Sequence, residues 1–342
     1  MKPEYTIAID TMSGDFGPEV VLVAAVQFIK KHAHVCLILV GPEDDLRPRL
    51  QVMGVQENDN LRIHHASQIV KMDESPSKAL RGKKDSSMRV SINLVKEGVA
   101  DACVSSGNTG ALMATARYVL KTLAGIDRPA IITSLPAING HTHVLDLGAN
   151  IDSTSEQLFQ FAVMGSVLAS AIDNIESPKV ALLNIGEEEI KGNDKVKVAA
   201  QLISESDLNY VGFVEGNDIY SGDIDVVVCD GFVGNVAIKT SEGLAKMISH
   251  YMKTEFKRNI FTRLSGLIAL PVLKAFRNRI DPRKYNGASL VGLRGIVIKS
   301  HGGADAFAFE NAINIALIEV DKAVPERISS NLESLLVERQ SV

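Results

Sequence analysis

The sequence predicts an α/β protein in which a mainly parallel β-sheet lies between two layers of helices. Short apolar runs rich in β-branched residues recur along the chain, and most of them are separated by segments with helical spacing. Three of these runs end in a Gly-x-x-Gly turn that leads into a helix. This alternation is typical of a three-layer α/β/α sandwich, whose ligands bind beyond the carboxyl ends of the strands.

The predicted elements follow this pattern from end to end. The strands are expected near residues 5–10, 35–41, 61–66, 101–105, 130–135, 142–147, 179–185, 209–214, 225–230 and 295–300. Residues 304–324 are predicted to form a closing helix, and residues 330–338 a short terminal one. We expect a single domain over 1–342, with a division into two lobes left open.

The glycine turns are the most informative motif. The first spans 14–17, the second 107–110, and the third starts at Asp230-Gly231 and reaches Gly234. One such turn is weak evidence, because most glycine turns only reverse the chain. Three in the same strand-turn-helix context favour an oxyanion site, because the turn amides and the first free N–H groups of a helix form a concave donor surface.

Composition narrows the class of protein. The chain has 342 residues and 46% hydrophobic content, enough for a large core. No apolar run approaches the roughly 20 residues of a membrane span, and the N-terminus lacks a signal-peptide pattern, so we expect a cytoplasmic protein. Cys36, Cys103 and Cys229 each lie inside an apolar strand and are predicted to be buried, inert thiols. The common nucleotide-binding glycine motifs are absent.

Two basic segments stand out on an acidic chain. Residues 246–284 carry ten Lys/Arg against two acidic residues, whereas the whole chain has a net charge of −5. The apolar residues of 246–284 repeat at helical spacing, and Pro271 is expected to break or kink the helix. The segment is therefore predicted to form a projecting amphipathic hairpin. The hairpin suits an anionic membrane surface or a dimer interface, and both interpretations stay open. Residues 78–89 are either a solvated loop or a docking patch for an acidic protein.

His141 and His143 alternate just before a predicted strand, so we expect them to face solvent. Because no third ligand is close in sequence, we predict no metal site.

The ordered motifs resemble one family closely. They are IDTMSGDFGP (9–18), SSMRVSINLVKEG (86–98), SSGNTGALM (105–113), LDLGAN (145–150), QFAVMGSV (160–167), LLNIGEE (182–188), KGN (191–193), VEGND (214–218) and VVVCDGFVGNVAIKTSEG (226–243). This set resembles the bacterial phosphate acyltransferases of phospholipid synthesis over nearly the whole chain. The first turn departs from the family pattern, because Thr11 and Ser13 replace an Ala and a Gly.

The resemblance implies a fold like that of isopropylmalate dehydrogenase and phosphotransacetylase, usually a homodimer with peripheral membrane association. It also implies transfer of a fatty acyl group from acyl carrier protein to inorganic phosphate. Because no Gly-x-Ser-x-Gly elbow or activated cysteine is evident, phosphate itself is expected to attack the thioester, without a covalent acyl-enzyme. We expect no cofactor, metal or nucleic-acid partner.

The expected roles are hypotheses placed on the strand ends and the basic segments. The catalytic candidates are Asn108, Lys239, His301 and Asp230. The candidates for binding phosphate and the thioester are Asp10, Gly14, Asp15, Gly107, Thr109, Gly110, Asn150, Asn184, Gly231, Gly234 and Asn235. Lys78, Arg81, Lys83, Lys84 and Arg89 are expected to dock the carrier protein. Phe256, Ile260, Leu264, Leu267 and Ile268 are expected to meet the membrane or the acyl chain.

Two other functions remain as alternatives. A nicotinamide-dependent hydroxyacid dehydrogenase could share the architecture, because a fold does not fix its chemistry. A non-catalytic membrane-surface scaffold would rest on the basic hairpin alone.

Overall fold

The computed structural model describes residues 3–340 and contains one mixed sheet flanked by helices. The strands are β1 (Tyr5–Asp10), β2 (Val35–Gly41), β3 (Leu61–His65), β4 (Ala102–Ser105), β5 (Ala130–Pro136), β6 (His141–Leu145), β7 (Val180–Leu183), β8 (Tyr210–Val214), β9 (Val226–Val228), β10 (Ala288–Val291) and β11 (Ile296–Lys299). The helices are α1 (Pro18–Lys31), α2 (Glu43–Val52), α3 (Pro76–Gly82), α4 (Ser87–Lys96), α5 (Thr109–Leu120), α6 (Ser155–Asp173), α7 (Asp194–Ser204), α8 (Gly231–Lys257), α9 (Ile260–Arg279), α10 (Ala306–Asp321) and α11 (Val324–Gln340).

The sheet consists of two parallel blocks that run in opposite directions. The strand order is β3-β2-β1-β4-β11-β10-β5-β6-β9-β7-β8. The pairings of β11 with β10, β10 with β5, and β5 with β6 are antiparallel, and the other pairings are parallel. Three antiparallel pairings lie between β4 and β9 in this order. Because that number is odd, β4 and β9 run in opposite directions. Their carboxyl ends therefore lie at opposite edges of the sheet.

The helices cover both faces of the sheet, and the alternation of side chains along each strand explains why. In β1, Ile7 and Ile9 pack with residues of α1 and α10, whereas Ala8 faces residues of α4 and α5. In the other block, Val226 and Val228 pack against α6, α7 and α11. Because both faces of each strand are buried, the strands are almost continuously apolar. The predicted three-layer α/β/α class is confirmed.

Two elements of the structure differ from the prediction. The strand β10 was missed, because it is a four-residue run between glycines; it pairs antiparallel with β11, which follows it closely, and with β5, which is distant in sequence. The C-terminal helix begins at Val324, not at residue 330, after a break at Ala323, whose φ is 48°. Cys36, Cys103 and Cys229 are buried free thiols, as predicted.

The chain does not break at Pro271, where the sequence predicted a break or a kink. Helix α9 runs through Pro271, and the chain turns instead at Asn259, which caps α9 in a capping box with Thr262. The apolar repeat is therefore divided between the end of α8, with Phe256, and α9. The two helices contact near this turn, where Gly266 faces the ring of Phe256. No helix among the described residues has the length and apolarity needed to cross a bilayer.

Candidate anion-binding site

The first two glycine turns interlock at the carboxyl ends of β1 and β4. The carboxylate of Asp10 accepts hydrogen bonds from Ser13 Oγ at 2.5 Å and from Ser105 Oγ at 2.6 Å. Ser106 Oγ donates to the carbonyl of Ser13 at 2.9 Å. Gly14 has a φ of +92°, and a Cβ there would lie 2.6 Å from Ser106 Oγ, so only glycine suits this crossing. The two turns are therefore held together as one unit by direct hydrogen bonds.

The loop that follows β11 completes this unit. The N–H of Asp15 donates to the carbonyl of Gly302 at 2.9 Å, which joins the first turn to the loop 300–303. The sheet order places β11 beside β4, so these three chain segments converge for a topological reason.

Lys299 is the most unusual side chain at this site. The register aligns Asp10 with Ser105 and Ser105 with Lys299, which forms one row across three strands. Lys299 is 9% exposed, and its ammonium donates to the carbonyls of Ser106 and Ser300. Burial lowers the pKa of Lys299 to about 8, although the carboxylate of Asp10 favours the charged form. A cation bonded to neutral carbonyls, with spare donor capacity, is suited to an anionic ligand.

His301 lies two residues further on, at the surface. Its Nδ1 accepts the N–H of Gly303 at 3.0 Å, so the neutral ring carries its proton on Nε2. Partial burial and the positive charge of Lys239 lower the pKa of His301. The ring is therefore a neutral Nε2–H donor at pH 7.

The start of α5 offers backbone donors. Asn108 caps this helix, because its Oδ1 accepts the N–H of Ala111 at 2.9 Å. Its Nδ2 donates to the carbonyls of Met72 and Glu74 at 2.6 Å and 3.2 Å. Both polar atoms of the predicted catalytic Asn108 thus have structural partners. Thr109 and Gly110 are exposed at this positive helix end, where their N–H groups can face an anion.

The third glycine turn lies with a different segment. The carboxylate of Asp230 caps α8 by accepting the N–H of Phe232 at 2.8 Å, and it also accepts the N–H of Ser153 at 2.8 Å. A Cβ on Gly231 or Gly234 would collide with the backbone of Asn150 or Asp146. These two glycines therefore let the start of α8 pack closely on residues 146–150.

The segment 146–150 is held by its own buried carboxylate. Asp146 Oδ2 accepts the N–H of Asn150 at 2.7 Å, and Asp146 Oδ1 accepts the N–H of Ile131 at 2.9 Å. Asn150 Nδ2 donates to Pro129 and to Asp146, and the side chain of Asn235 lies against Gly148. Four strands separate β4 from β9 in the sheet order, so the third turn does not join the first two at a common edge.

Another predicted phosphate ligand, Asn184, is on the far block of the sheet. Asn184 follows β7, and its Nδ2 donates to the carbonyl of Lys191 at 3.3 Å. The structure places it with the loop 184–193, beyond β9.

Lys239 connects the two regions electrostatically. Because α8 begins at Gly231, Lys239 lies in the third turn of the helix. Its Nζ pairs with Glu242 at 3.0 Å, and the side chain is half exposed. Its charge nevertheless acts on both His301 and Lys299, so α8 brings it towards the first two turns.

The predicted docking patch borders the second turn. Lys78 and Arg81 are exposed on α3, and Lys84 is exposed just after it. Lys83 is partly exposed, and Arg89 lies over the ring of Tyr118 at 5.2 Å. The patch is close to the site because Pro76, at the start of α3, contacts Gly110.

Sequence reasoning missed Lys299, Ser105 and Ser106 as site residues. One signal was present, since Lys299 is a charged residue in the otherwise apolar run Ile296–Ile298 and directly precedes Ser300-His301. A charge at the end of a buried strand indicates a paired or functional group.

The sequence comparisons identify the family. Residues 5–327 match the family described as fatty acid synthesis protein. The phosphate acyltransferase of Alkalilimnicola ehrlichii is 63% identical over 341 residues, which is 100% of both chains. The phosphate acyltransferase of Methylococcus capsulatus is also 63% identical, over 98% of both chains. This chain belongs to the phosphate acyltransferase family. The resemblance in the motifs is thus confirmed, and acyl transfer to phosphate in fatty acid and phospholipid synthesis is its activity.

Solved structures agree on the fold. A phosphotransacetylase from Streptococcus pyogenes has a TM-score of 0.64 and 19% identity, and the match covers 93% of this chain and 94% of that one. The EutD phosphotransacetylase from Staphylococcus aureus has a TM-score of 0.59 and 20% identity, with 92% and 94% covered. At these identities the likeness concerns the architecture.

Proposed function

We propose that this member of the family transfers a fatty acyl group from acyl carrier protein to inorganic phosphate, and that phosphate attacks the thioester directly. The observation that carries the proposal is the buried ammonium of Lys299 among the interlocked first and second turns. It supplies one positive charge at the carbonyl of Ser106, and the amides of Thr109 and Gly110 at the start of α5 follow three and four residues later. That combination suits a phosphate oxygen.

The proposal of a direct attack is supported by the burial of nearby nucleophiles. Ser105 and Ser106 are 1% and 3% exposed, and their hydroxyls already donate to Asp10 and to Ser13. Cys103 is fully buried, and burial raises the pKa of its thiol. These groups are poorly placed to reach a bulky thioester or to ionise. Bound phosphate already carries the negative charge that a nucleophile needs.

The proposed reaction has two steps. A phosphate oxygen forms a bond to the thioester carbonyl carbon, and the carbonyl oxygen becomes an oxyanion. The Nε2–H of His301 and the ammonium of Lys299 stabilise this oxyanion through hydrogen bonds. The tetrahedral species then expels the thiolate, and acyl phosphate leaves. Partial burial and, after it, the positive charge of Lys239 lower the pKa of His301, so the ring acts as a neutral donor.

A chemical trapping assay tests the reaction. Purified protein, acyl-acyl carrier protein and phosphate are mixed, and hydroxylamine traps acyl phosphate as a hydroxamate. We expect hydroxamate that depends on phosphate. Intact-mass spectra of the protein mixed with the thioester but without phosphate should show no acyl adduct. A stoichiometric adduct that phosphate discharges would overturn the direct attack.

We propose that the exposed basic residues of α3 and of the turn that follows it bind the acidic carrier protein. Lys78, Arg81 and Lys84 project beside the site, so the acyl chain would be delivered close to Gly110. Arg81→Glu with Lys84→Glu should raise the KM for the carrier-protein thioester by about 10-fold or more and leave the KM for phosphate unchanged. Lys96→Glu, an equal charge change on exposed α4, is the control. An unchanged KM in the double variant would remove the docking role.

We also propose that α8 and α9 serve association, with the start of α9 on an anionic membrane surface and α8 in a homodimer. The apolar residues of the turn and of α9 are widely exposed. They are Ile260 at 71%, Phe261 at 78%, Leu264 at 58%, Leu267 at 63% and Ile268 at 77%. Exposure on this scale, next to exposed basic residues such as Arg263 and Lys274, favours a lipid surface. The protein would then be cytoplasmic and peripherally bound. Sedimentation tests the dimer, and a monomer at micromolar concentration would refute it.

A further inference from the structure

Two histidines and an aspartate meet at the amino end of β6. Because side chains alternate along a strand, His141 and His143 lie on the same face. Both present Nε2 to the carboxylate of Asp173, the last residue of α6, at 3.1 Å and 2.7 Å. The expectation that both histidines face solvent is wrong for His143, which is 2% exposed. The third ligand that the sequence lacked locally comes from a helix 30 residues later.

The electrostatic setting favours a cation. Asp173 ends α6, where the helix dipole is negative, and the last turn of α6 contains no basic residue. Within the part of the chain that the structure describes, its ion-pair partners are the two imidazoles. Asp225 adds negative charge close to His141.

The geometry matches the needs of a transition metal. The three ligand atoms all lie within 4.8 Å of one another. Ligands of a tetrahedral ion at about 2.0–2.2 Å are roughly 3.3–3.6 Å apart, so a slight outward movement would admit one. Ser134 Oγ lies 3.1 Å from Nδ1 of His143. A hydrogen bond at this second ring nitrogen orients the imidazole, as is usual for metal-binding histidines. His141 is one-third exposed, which leaves an open side for entry of the ion and for a water ligand.

We propose that Nε2 of His141, Nε2 of His143 and the carboxylate of Asp173 bind one first-row divalent cation, with zinc(II) as the best match. Two imidazoles and one carboxylate suit zinc better than magnesium or calcium, which prefer all-oxygen sites. The site is separate from the glycine turns, because it lies at the start of β6 and Asp146 follows the end of that strand. A bound ion would clamp the β5–β6 hairpin to the end of α6.

The two occupancy states differ in the tautomer of His143. Without a metal, Nε2–H donates to Asp173 and Nδ1 accepts from Ser134 Oγ. With a metal, Nε2 supplies its lone pair to the ion, and Nδ1–H donates to Ser134 Oγ. Nitrogen-15 chemical shifts distinguish these forms in the intact wild-type protein.

Calorimetric titration of chelator-treated protein with zinc(II) tests the proposal. We expect one ion per chain, a switch of the His143 proton to Nδ1, and no competition from magnesium. His141→Ala and Asp173→Asn should each weaken zinc binding by more than about 100-fold, since even outer-shell partners are worth 10–100-fold. His250→Ala removes an exposed histidine on α8 and should change nothing. Absence of stoichiometric binding, wild-type affinity in His141→Ala, or an unchanged His143 tautomer at saturation would each overturn the site.

Discussion

Replacing Lys299 with methionine tests the proposed site most directly, because it should lower activity and raise stability together. Methionine fills similar space without the charge. A hydrogen bond to a charged group contributes about 1.5–3 kcal/mol, so losing the ammonium should lower kcat/KM for phosphate by about 10- to 150-fold. Lys299→Arg keeps the charge and should retain more activity. In the wild-type protein, kcat/KM for phosphate should fall as the pH rises through about 8.

The stability change follows from the same pKa. Burial lowers it from 10.5 to about 8, so the folded protein holds this proton less tightly than the unfolded chain. Burial of the charged lysine lowers the free energy of unfolding by about 3 kcal/mol below pH 8, and this destabilisation is relieved between pH 8 and 10.5. Methionine removes it but leaves the carbonyls of Ser106 and Ser300 without their donor, which costs about 1 kcal/mol each. The variant should therefore be about 1 kcal/mol more stable at pH 7.

The assays are the hydroxamate trap for kcat/KM and urea unfolding at pH 7 and pH 10.5. The stability gain at pH 7 should exceed that at pH 10.5. Lys96→Met, which removes an exposed lysine from α4, is the control and should change neither quantity. Wild-type kcat/KM for phosphate in Lys299→Met would refute the role of this ammonium. A stability gain over the wild type that is equal at pH 7 and pH 10.5 would refute the burial of Lys299 as a charged group.

Three further predictions concern packing, titration and membrane binding. Gly234→Ala should destabilise by about 1–3 kcal/mol in urea unfolding because its Cβ would collide with the carbonyl of Asp146, whereas Gly243→Ala in the same helix, with open space around it, should stabilise slightly. Equal effects would contradict this packing. Burial raises the pKa of Glu319 from 4.5 to about 8, so the folded protein keeps a proton that the unfolded chain releases. Stability should fall by on the order of 5 kcal/mol as the pH rises from about 4.5 towards 8, and Glu319→Gln should flatten that slope; an unchanged slope would exclude this group. Leu264→Glu should abolish flotation with anionic vesicles while Ser265→Glu, the same charge on the neighbouring position of α9, reduces it little, and persistent flotation of Leu264→Glu would exclude this contact.

The sequence by itself determined the local elements and the class of fold. The predicted strands and the glycine turns follow from short-range patterns, because apolar runs, β-branching and positive-φ glycines act within a few residues. The motif set also sufficed to recognise the family, which the comparisons confirm.

Only the tertiary structure decided which of these elements meet. The antiparallel pairings around β10 and β5 reverse half of the sheet, so the third turn packs on residues 146–150 instead of joining the first two. Strand pairing also aligns Lys299 with Asp10, and the end of α6 brings Asp173 to His143. These contacts join residues far apart in the chain, and pairing and packing across the whole fold select them, so no local pattern encodes them.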